Sequence, residues 1–266
     1  MTSAANAQTM FSWEKARLAM TLATAGPVLY LQGRKVRESV PQLPECFVAE
    51  GHLAGSGPPL RLVFLGDSIM AGIGHSDPQE ILPAQLVRTL AEKTGRAVEW
   101  RNLAINGCSS QSLLQELPAK LPEADLYLVS AGVNDALQLR SPAVYADNLR
   151  RLSERGNGAP WLLIGMPNLR EFPCFPYPLN GFLGGRVSQL EAAALELKAP
   201  WQVHQLRTSH TLDTFSPDGF HPGALGCRSW AGRLLPQVMQ LLNVKNKRIY
   251  LTVIGEKGPE PGNCRR

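Results

Sequence analysis

Five short apolar runs punctuate the chain, and each is bounded by Gly, Pro, Asn or Ser. They cover residues 61–67, 98–104, 126–132, 161–166 and 202–206. The middle runs are continuously apolar rather than alternating, which is typical of strands buried on both faces of a parallel sheet. The pattern therefore predicts five mostly parallel strands.

The segments between these runs carry apolar residues at spacings of three and four, which indicates helices. The predicted helices cover residues 79–93, 142–154, 183–198 and 222–243. Ser141 and Pro142 supply an N-cap followed by a proline at the first helical position. Since strands alternate with helices, we predict an α/β fold, a three-layer α/β/α sandwich built as a single domain.

This periodic pattern occupies only the middle of the chain. Residues 51–58, "GHLAGSGP", are interpreted as a linker into the first strand. We therefore divide the chain into an N-terminal helical and apolar segment with its linker (1–57), the α/β domain (58–243) and a basic C-terminal tail (244–266). Within the tail, "RIYLTVIG" is a candidate edge strand, and "EKGPEPGNCRR" has the composition of a disordered segment.

The N-terminal segment contains one apolar stretch, residues 18–33, that is a candidate for targeting. Its sixteen residues include Pro27 and are fewer than the ~20 that a membrane-spanning helix needs. The first interpretation is a helix that packs on the domain. The second is peripheral membrane contact, which basic residues on both flanks favour. A signal peptide for secretion comes third.

Composition and charge narrow the function classes. The chain has 266 residues, of which 44% are hydrophobic, and a formal net charge of +5. Because the excess of Lys and Arg lies mainly in the tail, we expect no nucleic-acid partner. The five cysteines are scattered and the histidines lack ligand spacing, so we expect no metal and a reducing, cytoplasmic compartment.

Four polar groups follow predicted strands or precede the last helix. Ser68 follows the first strand, Gly107 the second and Asn134 the third, while Asp218 and His221 stand just before the last helix. In a parallel sheet, binding groups gather at the carboxyl ends of the strands. We therefore expect these residues to meet at one edge of the sheet.

Together these residue types are the parts of an acyl-transfer site. Serine becomes a good nucleophile when a base such as His221 accepts its proton, and Asp218 would fix the tautomer of that histidine. The backbone N–H groups of Ser68 and Gly107 and the Asn134 amide would stabilise an oxyanion. Taken singly, each residue also suits an ordinary turn or helix cap, so the prediction rests on their order and combination.

The same residues resemble the sequence blocks of the SGNH hydrolases, the GDSL-type esterases and lipases. The matching stretches are "GDSI", "NLAINGCS", "GVND" and "DGFH". The resemblance implies a flavodoxin-like sheet and hydrolysis of carboxylic esters through an acyl-serine, with neither metal nor cofactor. Met70 stands where the G-x-S-x-G motif of the α/β-hydrolases has its second glycine, which excludes that family.

The expected substrate is a small acyl ester of short to medium chain length, with a lysophospholipid or a thioester as further candidates. An aromatic and proline-rich loop, residues 167–182, is interpreted as an acyl-binding surface, a lid or simply a cover of the sheet. A carbohydrate O-acetylesterase and a non-catalytic binding module are the alternatives. We further expect Asp67 to shape the turn, Asp135 to bond locally within its loop and His75 to lie on the surface.

Overall fold

A computed structural model describes residues 2–205 and 212–243 of the chain. Its strands are β1 (Glu50–Leu53), β2 (Ser56–Gly66), β3 (Arg96–Ala104), β4 (Leu126–Ser130), β5 (Trp161–Ile164) and β6 (Trp201–His204). Its α-helices are α1 (Thr2–Ser39), α2 (Ser68–Ala71), α3 (Leu82–Thr94), α4 (Ser110–Glu116), α5 (Val133–Leu137), α6 (Pro142–Ser153), α7 (Leu179–Leu195) and α8 (Ala224–Leu241).

These strands form one six-stranded sheet in the order β1-β3-β2-β4-β5-β6. All neighbouring pairs are parallel except β1 with β3. The predicted α/β sandwich is therefore confirmed, and β2 to β6 coincide with the five predicted strands. Residue 206, the last position of the fifth predicted strand, lies outside the described residues.

The predicted number of strands was wrong by one, because β1 lies inside the segment interpreted as a linker. It pairs antiparallel with β3, from Glu50 opposite Arg101 to Leu53 opposite Val98. Three of its four residues are exposed. An edge strand of this kind is held by backbone hydrogen bonds and carries no apolar pattern that a sequence could reveal.

Two hydrophobic cores flank the sheet and fix its position. On one face, side chains such as Leu86 of α3 and Leu234 of α8 pack against Phe64 of β2. On the other face, α4, α6 and α7 cover the sheet, and Trp161 stacks on Tyr127 with ring centroids 4.4 Å apart. The carboxyl ends of the strands are thus presented by a rigid, doubly covered sheet.

The N-terminal helix α1 packs on this domain, as the first interpretation predicted. Leu29 is buried against the core that contains α7. The Gln32 amide donates to the Tyr177 carbonyl at 2.9 Å and accepts from the Leu179 N–H at 3.2 Å. No helix among the described residues is both long and apolar enough to cross a membrane.

The chain after α1 runs directly onto the loop that follows Ser68. The Gly74 N–H donates to the Pro44 carbonyl at 2.9 Å, and the Cys46 N–H donates to the Gly72 carbonyl at 3.1 Å. The segment before β2 therefore helps to build the end of the molecule that contains Ser68.

The helix boundaries differ from the prediction chiefly at α7. This helix begins at Leu179, four residues before the predicted start and inside the predicted loop 167–182. Pro178 stands immediately before its first turn, where the lack of an N–H costs no helical hydrogen bond. The predictions for the tail, the edge strand and the disordered segment, lie outside the described residues.

Candidate active site

Ser68 is held at a sharp transition from β2 to α2. Gly66 adopts φ +145°, and a Cβ at this position would lie 2.3 Å from the Ser130 carbonyl oxygen of β4. A glycine is therefore required for the two strands to stay adjacent up to the turn. Asp67 caps α2 by accepting from the Ile69 N–H at 3.2 Å, and the Ser130 hydroxyl donates to the same oxygen at 3.0 Å. The prediction that Asp67 shapes the turn is confirmed.

A chain of hydrogen bonds joins Ser68, His221 and Asp218. The Ser68 Oγ lies 2.9 Å from His221 Nε2, and His221 Nδ1 lies 2.6 Å from Asp218 Oδ2. The other Asp218 oxygen accepts from the N–H groups of Phe220 at 2.9 Å and His221 at 3.0 Å. The structure thus brings together, across 153 positions of sequence, the serine and the histidine that the sequence analysis paired.

The two carboxylates near this chain differ in their electrostatics. Burial alone would raise the pKa of Asp218, but hydrogen bonds from the His221 ring and two backbone N–H groups hold that pKa below its ordinary value. Burial raises the pKa of Asp67 to about 6 despite its hydrogen bonds from Ser130 and Ile69. Asp218 is therefore suited to stay ionised beside an imidazolium.

The expected oxyanion donors lie on neighbouring segments, with Gly107 in the loop before α4 and Asn134 in the first turn of α5. Asn134 lines the same pocket as Ser68 and His221, and its amide donates to the Cys108 carbonyl at 2.9 Å. That bond uses one of the two N–H groups of the amide. Gly107, one residue before Cys108, has φ +72° in the left-handed region. The pocket-lining residues do not include Gly107.

The backbone N–H groups of Ser68 and Gly107 make no hydrogen bond to another described residue. Each therefore remains able to donate to a substrate oxygen.

Asp135 joins the loops of Gly107 and Asn134, which the sequence analysis did not foresee. Its fully buried carboxylate accepts from the Ser110 N–H at 2.8 Å and the Ser110 hydroxyl at 2.6 Å, and pairs with Arg140 Nε at 2.9 Å. The prediction of local bonds is confirmed only for the pair with Arg140, since Ser110 begins α4 and lies 25 residues away. Asp135 thereby fixes α5 relative to the start of α4.

The predicted surface position of His75 was also wrong. Its side chain is buried, with Nε2 3.5 Å from the Cys227 Sγ of α8 and Nδ1 3.9 Å from a Glu80 carboxylate oxygen. Burial lowers the pKa of His75, so the ring is neutral near neutral pH, and burial raises the pKa of Cys227 to about 12. The glycine-rich sequence around His75 gave no sign of this burial, because Cys227 comes near His75 only in the folded chain.

The pocket beside Ser68 is small and mostly apolar, with a volume of about 20 Å³. Its apolar walls come from three helices and two loops and comprise Ile69, Val133, Pro167, Phe172, Phe215, Phe220, Pro222 and Trp230. The Phe220 ring lies edge-on to the His221 ring, with centroids 4.8 Å apart. Phe172 is the one aromatic residue of loop 167–182 that lines the pocket, whereas Tyr177 is exposed.

Metal and disulfide chemistry were not expected at this site. Within the described ranges, no group of three His, Cys, Asp or Glu residues is arranged to hold a metal ion. Cys46, Cys108, Cys174 and Cys227 are free thiols. His210 and Cys264 lie outside those ranges.

Comparison with known proteins identifies relatives for the domain that contains this site. The model of the GDSL-like lipase/acylhydrolase family matches residues 64–228, more than half of the chain. A GDSL-like esterase from Mycobacterium tuberculosis is 28% identical over 181 residues, covering 62% of this chain. That match spans only 57% of the length of the mycobacterial relative.

Solved structures resemble the fold as well. A lipase/acylhydrolase from Enterococcus faecalis has a TM-score of 0.51 at 20% identity, covering 71% of this chain and 99% of its own. A carbohydrate esterase family 2 enzyme from Corynascus thermopiles (Myceliophthora fergusii) has a TM-score of 0.55 at 15% identity, covering 72% of this chain and 69% of its own. At such identities the likeness concerns the fold alone.

Proposed function

Because the chain belongs to the GDSL-like lipase/acylhydrolase family, we propose that it hydrolyses carboxylic esters through an acyl-serine intermediate. The observation that carries the proposal is the pair of hydrogen bonds that joins Ser68 to His221 at 2.9 Å and His221 to Asp218 at 2.6 Å. Both bonds are already short enough for proton transfer without rearrangement of the chain.

In the first half of the proposed reaction, the Ser68 Oγ attacks the ester carbonyl carbon while its proton passes to His221 Nε2. Asp218, which accepts at Nδ1, stabilises the resulting imidazolium and holds the ring in the required tautomer. The tetrahedral intermediate then collapses, the bond to the alkoxy group breaks, and His221 returns the proton to the leaving alcohol. Ser68 is left acylated and His221 neutral.

In the second half, water takes the place of the alcohol. His221 accepts a proton from the water as its oxygen attacks the acyl carbon, and the proton then passes to Ser68 Oγ as the carboxylic acid leaves. In both halves the negative oxygen would receive hydrogen bonds from Ser68 N–H, Gly107 N–H and the Asn134 amide. Each such donor lowers the barrier by roughly 3 kcal/mol.

The size of the pocket supports short acyl groups within the expected range of short- to medium-chain esters. A cavity of about 20 Å³ has room for roughly one or two water molecules. Its aromatic walls are packed on one another, as between Phe172 and Phe215, whose centroids are 5.0 Å apart. A longer chain, as in a lysophospholipid, would require these rings to move, and the same limit applies to the acyl group of a thioester.

The small pocket also favours a second candidate, a carbohydrate O-acetylesterase, since an acetyl group is the smallest acyl group of common esters. The two candidates differ in whether the alcohol portion of the ester determines the rate of hydrolysis. An O-acetylesterase would release acetate from acetylated glycans far faster than it cleaves butyryl esters of simple alcohols.

The decisive experiment measures the turnover of p-nitrophenyl esters by the wild type and by Ser68→Ala. The acyl groups of these esters range from about two to about eight carbons, so that they test the size of the pocket. Wild-type turnover is expected to be highest for acetate or butyrate, and the variant is expected to lose at least about 10³-fold in kcat. Ser153→Ala, on α6, is the matched control and should keep full activity.

A fluorophosphonate should label the wild type at Ser68, as mass spectrometry of the labelled peptide would show. Equal turnover by Ser68→Ala and the wild type, or labelling of a different serine, would refute the mechanism. Absence of both turnover and labelling in the wild type would favour a non-catalytic binding module.

A further inference from the structure

Helix α1 carries an exposed apolar surface on the side that faces away from the domain. We define the outer face of α1 as Met20, Pro27, Tyr30 and Leu31. We propose that this face, together with Tyr177, docks the protein on an anionic phospholipid surface. The proposal concerns binding to a membrane surface and does not depend on the proposed ester hydrolysis.

Helix α1 has two faces of different character. Ala25, Leu29 and Val36, at helical spacing, pack on the core of the domain. On the outer face, Met20, Tyr30 and Leu31 are 66%, 69% and 62% exposed. Large apolar side chains exposed on two turns of one helix face favour an interaction site.

The C-terminal part of α1 lies near the end of the molecule that contains Ser68. Gln32, on the packed side of α1, bonds the backbone on both sides of Pro178, at Tyr177 and Leu179. Tyr177 itself is 83% exposed and belongs to the loop from which Phe172 enters the pocket. After α1 ends, the chain pairs with the serine loop through the bridge between Glu45 and Ile73.

Positive charge at the C-terminal end of α1 favours an anionic partner for this surface. Arg34, Lys35 and Arg37 are exposed and follow the outer face within two turns. Glu38 pairs with Arg34 at 2.7 Å, whereas no ion pair to Lys35 or Arg37 occurs in the described part of the chain. An apolar helix face with uncompensated cations at its end complements anionic headgroups above acyl chains.

A second copy of the chain suits this surface less well, because it would bring like charges together. Since the opposite face of α1 is packed on the domain, the helix would lie in the plane of the interface. Met20 and Leu31 would enter the headgroup boundary, the tyrosines would stay at its polar edge, and Lys35 and Arg37 would reach phosphates.

The test is co-sedimentation of the 266-residue chain with phosphatidylcholine vesicles, with and without about 30% phosphatidylglycerol. We expect binding to the anionic vesicles that weakens strongly at about 0.5 M salt. Met20→Ser combined with Leu31→Ser should weaken binding more than about tenfold, because both apolar anchors are lost. Lys35→Gln and Arg37→Gln should each weaken it about fivefold.

The matched control is Leu53→Ser combined with Leu195→Ser, which changes exposed apolar residues on β1 and at the end of α7, away from the carboxyl ends of the strands. It should bind like the wild type, and circular dichroism should show that all variants fold. The proposal fails if the wild type does not bind anionic vesicles, or if the control weakens binding as much as the α1 variants. It also fails if sedimentation velocity shows a dimer that the α1 variants dissociate while vesicle binding is absent.

Discussion

At the scale of single residues, two neighbouring residues at the end of β2, at positions 66 and 67, determine the turn that leads to Ser68. Gly66 lets β2 and β4 approach, and Asp67 caps the short helix that begins with Ser68. This arrangement buries the Asp67 carboxylate beside the serine, and burial raises the pKa of Asp67 to about 6. Because Asp67 holds its proton to a higher pH when folded than when unfolded, its contribution to stability is present at low pH and lost as the pH rises through about 6.

We therefore expect Asp67→Asn to become relatively more stable than the wild type as the pH rises. The difference in free energy of unfolding should change by roughly 2 kcal/mol in favour of the variant between about pH 4.5 and pH 8. Urea unfolding at several pH values measures it. Asp77→Asn, at an exposed carboxylate, is the control substitution. A flat difference for Asp67→Asn would contradict the buried, shifted carboxyl.

Single residues were the hardest scale to predict from the sequence. Ser68, Asn134, Asp218 and His221 could be proposed as site residues because each stands beside a recognisable strand or helix. His75 was not, since its burial depends on Cys227, which lies 152 positions later. A pattern read along the chain does not show such long-range neighbours.

At the scale of elements, Asp135 connects α4 and α5 and so aligns Asn134 with the loop that contains Gly107. The sequence predicted the buried strands because their apolar runs are continuous. It did not predict β1, whose polar residues are held through backbone pairing, or the contact between α4 and α5, which depends on buried polar groups rather than on hydrophobic periodicity.

Asp135→Asn should lower the free energy of unfolding by about 3 kcal/mol. Arg140 loses the charge of its buried partner, and one hydrogen-bond donor of Ser110 then faces the N–H groups of the asparagine amide instead of a carboxylate oxygen. Thermal or urea unfolding measures the change. The matched control is Asp147→Asn, since Asp147 pairs with Arg150 at the same 2.9 Å but on the surface. It should cost less than about 1 kcal/mol. Similar losses for both variants would mean that Asp135 has no special structural role.

At the scale of the whole molecule, α1 is part of the domain rather than an appendage. Its inner face shares a core with α7, and the segment after it pairs with the serine loop. The division of the chain at residue 57 remains a prediction from composition. From the contacts of Leu29 and Gln32 we predict that α1 and the domain unfold together.

Leu29→Ala should accordingly cost about 2 to 4 kcal/mol of unfolding free energy, because a buried side chain is removed from the core. Leu31→Ala, two residues away on the exposed side, should cost less than about 0.5 kcal/mol. Urea unfolding followed by circular dichroism distinguishes them. If the two variants are equally stable, α1 is not part of the cooperative unit.

The position of Trp230 gives the molecule an optical reporter of its own. Of the four tryptophans whose side chains are described, Trp100, Trp161 and Trp201 lie away from the pocket, while Trp230 forms part of its wall. An acyl group that enters a cavity of this size displaces water from the indole. The emission of Trp230 can therefore follow occupancy of the pocket with unmodified esters, without a coloured leaving group.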